Sequence, residues 1–205
     1  MKKIVSVFLV LVASLALQAQ DKILLMNGLE RECRIVSDTG FMIRYEVTKR
    51  NGKVKELLAN RGEVFSYTVA GQSEKIIYEL DTLFGNNIYT PSEMRAFLAG
   101  QYDGRSNFDA THIAIIGFTL SGASAYLGGE GFFTAVGPPV IYTLIQFIGK
   151  VKIREKSMTN VDYKYNDIYA DGYEPPARTK KLLTALWSGF AGSATGITLY
   201  FILRG

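Results

Sequence analysis

The chain has 205 residues, 48% of them hydrophobic, and a formal net charge of +4 that is the balance of 23 basic and 19 acidic side chains. This length allows one small folded domain and a few apolar helices, and so small a positive excess gives no indication of a nucleic-acid partner. The single cysteine, Cys33, excludes a disulfide within the chain and a metal site built from several cysteines. We expect it to behave as a small buried hydrophobe.

Residues 1–19 have the three-part layout of a secretory signal peptide. Lys2-Lys3 precede an apolar run over residues 4–17, and cleavage is predicted after Ala19. The alternative is an uncleaved anchor, because Leu17 is larger than the small residue preferred at its position. Both alternatives export the next segment, so the sequence predicts a protein of the bacterial cell membrane whose N-terminal domain lies in the periplasm.

Residues 20–82 are predicted to form a small all-β domain, because their hydrophobic periodicity is two rather than 3.6. Asn27-Gly28 and Asn51-Gly52 are signals for tight hairpin turns, in which a positive φ favours glycine. Short strands separated by closely spaced turns are typical of a barrel-like domain or a strongly bent sheet. The side chains predicted to lie in its core are Phe41, Ile43, Phe65 and Ile77.

Residues 83–105 are predicted to be a connecting helix and linker. Thr90-Pro91-Ser92-Glu93 combines a capping threonine, a proline suited to the first helical position and a glutamate that reaches back to the cap. This helix is expected to end near Gly100. A second capping pattern begins at Ser106, with Asp109 in place of the usual glutamate, so the next helix is predicted to start before His112.

Residues 106–149 are predicted to form a transmembrane helical hairpin. Glu130 is the only formally charged side chain between residues 112 and 149, and Gly128-Gly129-Glu130-Gly131 divides this segment into two apolar halves. Each half is near the lower limit for a helix that crosses ~30 Å of hydrocarbon. Pro138-Pro139 is expected to kink or interrupt the second half.

Residues 150–181 are predicted to be a basic linker and residues 182–205 a C-terminal transmembrane helix, since no charge interrupts residues 182–203. Export followed by two spans places the linker outside, against the tendency of basic loops to remain in the cytoplasm. A single crossing by residues 112–149 would remove this conflict, but that segment is too long for one span. The predicted fold class is therefore an α+β membrane protein.

Small side chains recur at helical intervals on two of the predicted spans. Small residues four apart on one helix face allow two helix backbones to approach closely. A faint repeat relates Gly117-Phe118 to Gly189-Phe190, and it predicts that the first and third spans run in the same direction. The residues predicted to pack helices together are Gly117, Ser121, Ser188, Gly192 and Gly196.

Two segments resemble patterns in uncharacterised exported bacterial envelope proteins. One is Tyr169-Ala170-Asp171-Gly172-Tyr173 followed by Arg178-Thr179-Lys180-Lys181, Ala185 and the glycine-spaced helix, which is also similar to glycine-zipper segments. The other, looser similarity is the strand opening over residues 21–28. The resemblance implies a location in the cell envelope, and it implies no activity.

Asp109 and His112 lie three residues apart, so on a helix they form a candidate acid–base pair. No nucleophile accompanies them, and no catalytic residue, cofactor site or metal site is predicted. The predicted function is a non-catalytic, membrane-anchored envelope scaffold or interaction subunit. Its expected partners are membrane lipid and either other envelope proteins or a second copy of the chain. The alternatives are a component of a small transport or channel assembly, and a membrane-surface enzyme that uses Asp109 and His112.

Overall fold

The computed structural model describes residues 20–81, 88–129 and 131–204. The predicted signal peptide, residues 82–87 and Glu130 of the predicted glycine break lie outside the described residues. The chain divides into two compact units, Met1–Leu98 and Ala99–Gly205. Strands and helices are both present, so the protein belongs to the α+β class.

The first unit contains an antiparallel sheet with the strand order β4-β3-β2-β1-β5-β6. Asn27-Gly28 lies between β1 and β2, and Asn51-Gly52 lies between β3 and β4, as the turn signals predict. Gly28 and Gly52 have φ angles of 77° and 76°, which other residues rarely adopt. The strands are β1 (Asp21–Leu25), β2 (Glu30–Asp38), β3 (Met42–Thr48), β4 (Val54–Asn60), β5 (Val64–Thr68) and β6 (Lys75–Ile76).

The sheet is open, which corrects the prediction of a barrel-like domain. A barrel needs a hydrogen-bonded ladder between its first and last strands. Strand β6 has only two residues, and among the described residues it pairs with β5 and not with β4. The Asp38 carboxylate at the end of β2 accepts hydrogen bonds from Tyr67 on β5 and Lys75 on β6, so this end of β2 lies close to both strands although β1 separates β2 from β5 in the sheet.

The main core of the first unit lies along this sheet. Ile43 is fully buried and Ile77 is nearly so, as predicted. The assignment of Phe41 to the core is wrong, because its side chain is 87% exposed. Phe41 follows Gly40, whose φ of 86° places it in a turn, and the alternation of β3 begins only after it. The buried members of this core are Ile23, Ile43, Tyr45, Ala59, Val64, Tyr67 and Ile77.

A second cluster joins the sheet to the start of helix α1 (Pro91–Ser106). Phe65 of β5 is fully buried, as predicted, and it packs with Tyr78 and with Met94 and Leu98 of the helix. The apolar side chains at the start of α1 are therefore buried against the sheet, and this packing stabilises the first turns of the helix.

The predicted capping box at the start of α1 is present. Thr90 N donates to the Glu93 carboxylate at 2.8 Å, and Glu93 N donates to Thr90 Oγ1 at 3.4 Å. The helix does not end near Gly100 as predicted but continues to Ser106. Ser106 is therefore the last residue of α1 and not the cap of the next helix. Asp109 does lie ahead of that helix, where its carboxylate accepts a hydrogen bond from Thr111 N at 3.1 Å.

The other helices are α2 (Thr111–Gly128), α3 (Phe132–Ile148) and α4 (Asp167–Arg204). Helix α3 continues through Pro138-Pro139, so the expected interruption there is absent. Helix α4 begins inside the segment predicted to be a linker, because the Asn166 side chain caps it by accepting a hydrogen bond from Tyr169 N at 3.0 Å. The apolar run that begins at residue 182 is only the second half of this helix.

Candidate functional site

The candidate site is a seam of small residues between α2 and α4 in the second unit. A Cβ atom added at Gly192 would overlap the carbonyl oxygen of Phe118, and one added at Gly196 would overlap that of Gly122. The helix backbones touch at these points, so only glycine fits without a shift of one helix. The two residues of the predicted G-x-x-x-G pattern thus lie directly against a neighbouring helix of the same chain.

The other residues predicted to pack helices line the same seam. A Cβ atom added at Gly117 would lie 2.6 Å from Ser188 Oγ. Ser121 is fully buried, and its hydroxyl lies 3.2 Å from the position that a Cβ atom of Gly189 would take. Among the described residues, the hydroxyl groups of Ser121 and Ser193 have no hydrogen-bond partner. The five predicted packing residues therefore come together in one helix contact.

The helices on the two sides of this contact run in the same direction. Gly100 of α1 lies against Tyr169 at the start of α4, and further along the chain Gly122 of α2 lies against Gly192 of α4. Residue numbers therefore increase in the same direction along α1 and α2 as along α4, which is the parallel arrangement that the faint sequence repeat predicts. Helix α3 joins the same bundle where the buried Pro139 packs against Gly189, 3.0 Å from the position of an added Cβ.

The residues that α2 and the second half of α4 bury are mostly small. The buried residues of α2 are Ile113, Gly117, Ser121 and Ala125, and those of α4 beyond residue 182 are Ala185, Gly189, Gly192, Ser193 and Gly196. Soluble proteins bury their large apolar side chains, and monomers rarely expose large contiguous apolar patches. The exposed large apolar side chains of α2, α3 and α4 include Ile115, Leu120, Leu127, Phe132, Phe133, Ile141, Leu144, Ile145, Phe147, Ile148, Trp187, Phe201, Ile202 and Leu203.

Asp109 and His112 do not form the acid–base pair that their spacing allows. Within the described residues, the Asp109 carboxylate accepts hydrogen bonds from Thr111 N and from Lys156 Nζ, the latter at 2.8 Å, and none joins it to His112. The hydrogen bond from Lys156 holds the pKa of Asp109 well below its usual range. The carboxylate therefore stays ionised at neutral pH and is a weak proton acceptor.

Asp103 is a buried residue that the sequence analysis missed. Its side chain is fully buried, and its carboxylate accepts hydrogen bonds from Tyr169 Oη at 2.7 Å, Thr159 N at 2.8 Å and Asn107 Nδ2 at 2.7 Å. Burial and this hydrogen bond raise the pKa of Tyr169 above its usual range, so its hydroxyl remains a donor. Asp103 thereby fixes the end of α1, the start of α4 and the segment between α3 and α4 to one another.

Sequence spacing gives no signal for this arrangement. The partners Thr159 and Tyr169 are 56 and 66 residues from Asp103 in the chain. Tyr102-Asp103-Gly104 also has the composition of an exposed turn, but in the structure only Tyr102 is exposed, whereas Asp103 and Gly104 are buried and Gly104 lies against the Tyr173 backbone.

Among the residues that the structure describes, no group of three or more His, Cys, Asp or Glu side chains is placed to hold a metal ion. Two helical stretches, Pro91–Gly128 and Asp167–Arg204, are long and apolar enough to cross a membrane by length and composition, and α3 is a shorter apolar helix. Only 28% and 22% of their most apolar windows are buried within the protein. Comparison of the chain with protein-family models, curated proteins and solved structures finds no match.

Proposed function

We propose that this protein is a non-catalytic, membrane-anchored scaffold or interaction subunit of the bacterial cell envelope. The observation that carries the proposal is the burial pattern of α2 and the second half of α4, where the buried residues are mostly small and many large apolar side chains are exposed. Exposed apolar surface costs roughly 25 cal/mol per Å² in water, whereas lipid removes that cost. Close packing through glycine and serine is also how helices associate where no hydrophobic force drives them together.

The contacts of residues 150–166 support the membrane hairpin. Thr159 is hydrogen bonded to Asp103, and Lys156 is paired with Asp109 at 2.8 Å, so this segment lies at the end of the bundle where α1 gives way to α2. Helix α2 departs from that end and α3 returns to it. This path agrees with two crossings, in which the basic segment would lie on the same side of the membrane as Asp109.

The two alternatives have less support. A membrane-surface enzyme that uses Asp109 needs a proton acceptor, but Lys156 holds that carboxylate in an ion pair. A proline break in a spanning helix can frame a substrate site in a transporter, but Pro139 is buried against Gly189 and contributes to helix packing. The first unit instead offers an interaction surface, because β4 is an edge strand and, among the strands that the structure describes, only β3 pairs with it.

The first prediction tests the location of the sheet domain. A cysteine introduced by Lys53→Cys at the exposed turn between β3 and β4 is expected to react with a membrane-impermeant maleimide in intact cells. The unmodified chain is the control, since burial raises the pKa of Cys33 to about 11. Only about one thiol in ten thousand is then ionised at neutral pH, so background labelling is slow. Labelling that requires cell lysis would contradict the proposed periplasmic location.

The second prediction tests the interaction role. Leu58 on β4 is 58% exposed and Val54 on the same strand is 60% exposed, on the face opposite the core residue Ala59. A photo-crosslinking amino acid at Leu58 is expected to give one discrete adduct with a second protein in cells, whether another envelope protein or a second copy. The matched control is the same amino acid at Arg50, which lies at the hairpin tip. Equal adducts from both positions, or none from Leu58, would contradict the proposed role of the β4 edge.

A further inference from the structure

A cavity of about 140 Å³ lies within the second unit, between the start of α2, the end of α3 and the middle of α4. Its volume is many times the roughly 10–15 Å³ that a single water molecule needs. Five cationic side chains line it, and Asp109 is the only carboxylate among its lining residues. The cations are Lys150, Lys152, Arg154, Lys156 and Lys181.

Most of this positive charge is uncompensated. Asp109 neutralises Lys156 through the ion pair at 2.8 Å. Within residues 20–81, 88–129 and 131–204, the other four cations form no ion pair with a carboxylate. The start of α2 adds the positive end of a helix dipole at the same place, where Asp109 already accepts a hydrogen bond from Thr111 N.

Lys181 is the most informative of these cations, because it is only 6% exposed. Its Nζ donates one hydrogen bond, at 2.9 Å, to the Gly149 carbonyl oxygen at the end of α3. An ammonium group has three N–H donors, and among the described residues the other two have no partner. Burial, with a smaller contribution from Arg178, lowers the pKa of Lys181. An anion that enters the cavity would stabilise the buried ammonium group of Lys181, because it would accept hydrogen bonds from the unpaired N–H donors.

We propose that this cavity binds a phosphate group that carries net negative charge. Phosphate oxygens accept hydrogen bonds from several ammonium and guanidinium donors at once, which matches Lys152, Arg154 and Lys181 around one space. The hydroxyl groups of Ser157 and Tyr173, which are 2.9 Å apart, add neutral polar groups at the cavity wall. The phosphate belongs either to an anionic phospholipid headgroup or to a soluble phosphate ester, and the chemistry recognised is the same.

The test is a calorimetric titration of the full chain in non-ionic detergent. The probes are a short-chain phosphatidic acid, glycerol phosphate and a short-chain phosphatidylcholine. We expect phosphatidic acid to bind with an affinity that falls steeply with added salt, and phosphatidylcholine to bind at least about 10-fold more weakly because its choline cation offsets the phosphate. Binding of glycerol phosphate as tight as that of phosphatidic acid would support the site and identify its ligand as soluble.

Lys181→Met is expected to weaken phosphatidic acid binding by about 10-fold or more, the loss typical of one buried charge-assisted hydrogen bond. The control Lys180→Met removes the same charge from the next residue of α4, but Lys180 Nζ bonds to the carbonyl oxygens of Arg105 and Ser106 and does not line the cavity. Its effect is expected to stay below about twofold.

Lys152→Met provides a second variant, because Lys152 is exposed, lines the cavity and has no structural hydrogen bond among the described residues. It is expected to weaken binding several-fold without changing the melting temperature. Equal losses in Lys181→Met and Lys180→Met would overturn the proposal, as they would show attraction to general surface charge. Absence of binding to both phosphate probes would overturn it as well. Because glycerol phosphate needs no lipid, its titration reports on the cavity independently of whether the helices cross a membrane.

Discussion

Phe65→Ala is expected to destabilise the sheet domain by about 3–5 kcal/mol, which is most or all of the stability of a domain of this size. Phe65 is fully buried, and its ring centroid lies 5.7 Å from that of Tyr78. Met94 and Leu98 of α1 pack in the same cluster, so the truncation leaves a cavity that rigid neighbours cannot fill. Hydrogen–deuterium exchange of β1 and β5 in the full-length protein measures this loss.

Phe41→Ala is the matched control, because it removes the same side chain from the same sheet. The Phe41 side chain is 87% exposed, so its truncation is expected to change stability by less than about 0.5 kcal/mol. Sequence alternation alone predicts equal losses for the two variants. Equal exchange rates in Phe65→Ala and Phe41→Ala would contradict the burial of Phe65 in the core.

Gly192→Leu is expected to separate α2 from α4 and to lower the free energy of unfolding by about 3 kcal/mol or more. This is at or above the largest loss that an added side chain usually causes in a well-packed interior. The obstacle at Gly192 is the backbone of α2, since an added Cβ overlaps the carbonyl oxygen of Phe118. A side chain moves by changing rotamer, but a helix backbone moves only as a whole. The expected result is a lower melting temperature in detergent and faster exchange at the seam, with apolarity and membrane insertion preserved.

The control for Gly192→Leu is Ala194→Leu, which adds a large apolar side chain two residues away on the same helix. Ala194 is exposed, so this change is expected to leave the melting temperature within a few degrees of the unmodified protein. If the two variants have the same melting temperature, the small residues of the seam have no packing role, and the proposed scaffold loses its structural basis.

Local patterns predicted local structure well. The capping box at Thr90 depends on residues three positions apart, and the turns at Gly28 and Gly52 depend on two-residue signals. The spacing of Gly192 and Gly196 also selected the face of α4 that lies against α2. In each case the relevant atoms are close in the chain or repeat with the helical period, so tertiary contacts were not needed to find them.

Errors arose where packing overrides a local signal. Gly100 was expected to end α1, but it lies against the Tyr169 backbone and permits a close helix contact. Residues 167–181 belong to the segment predicted to be a linker, but they form the first half of α4, which Asn166 caps and Tyr169 anchors through Asp103 and which continues through Pro175-Pro176. The energy of those tertiary contacts exceeds the local preference to end or interrupt a helix.

The sequence by itself determined the α+β class, the apolar helices and the small-residue faces, because composition and periodicity are properties of consecutive residues. Only the tertiary structure decided that the sheet is open, that the buried Asp103 carboxylate accepts four hydrogen bonds, and that Lys181 lies beside a cationic cavity. Lys181 and Gly149 are 32 residues apart, and nothing near either residue in the chain signals their contact. Whether a charged side chain is buried depends on which distant segments pack around it, and only the tertiary fold determines which segments those are.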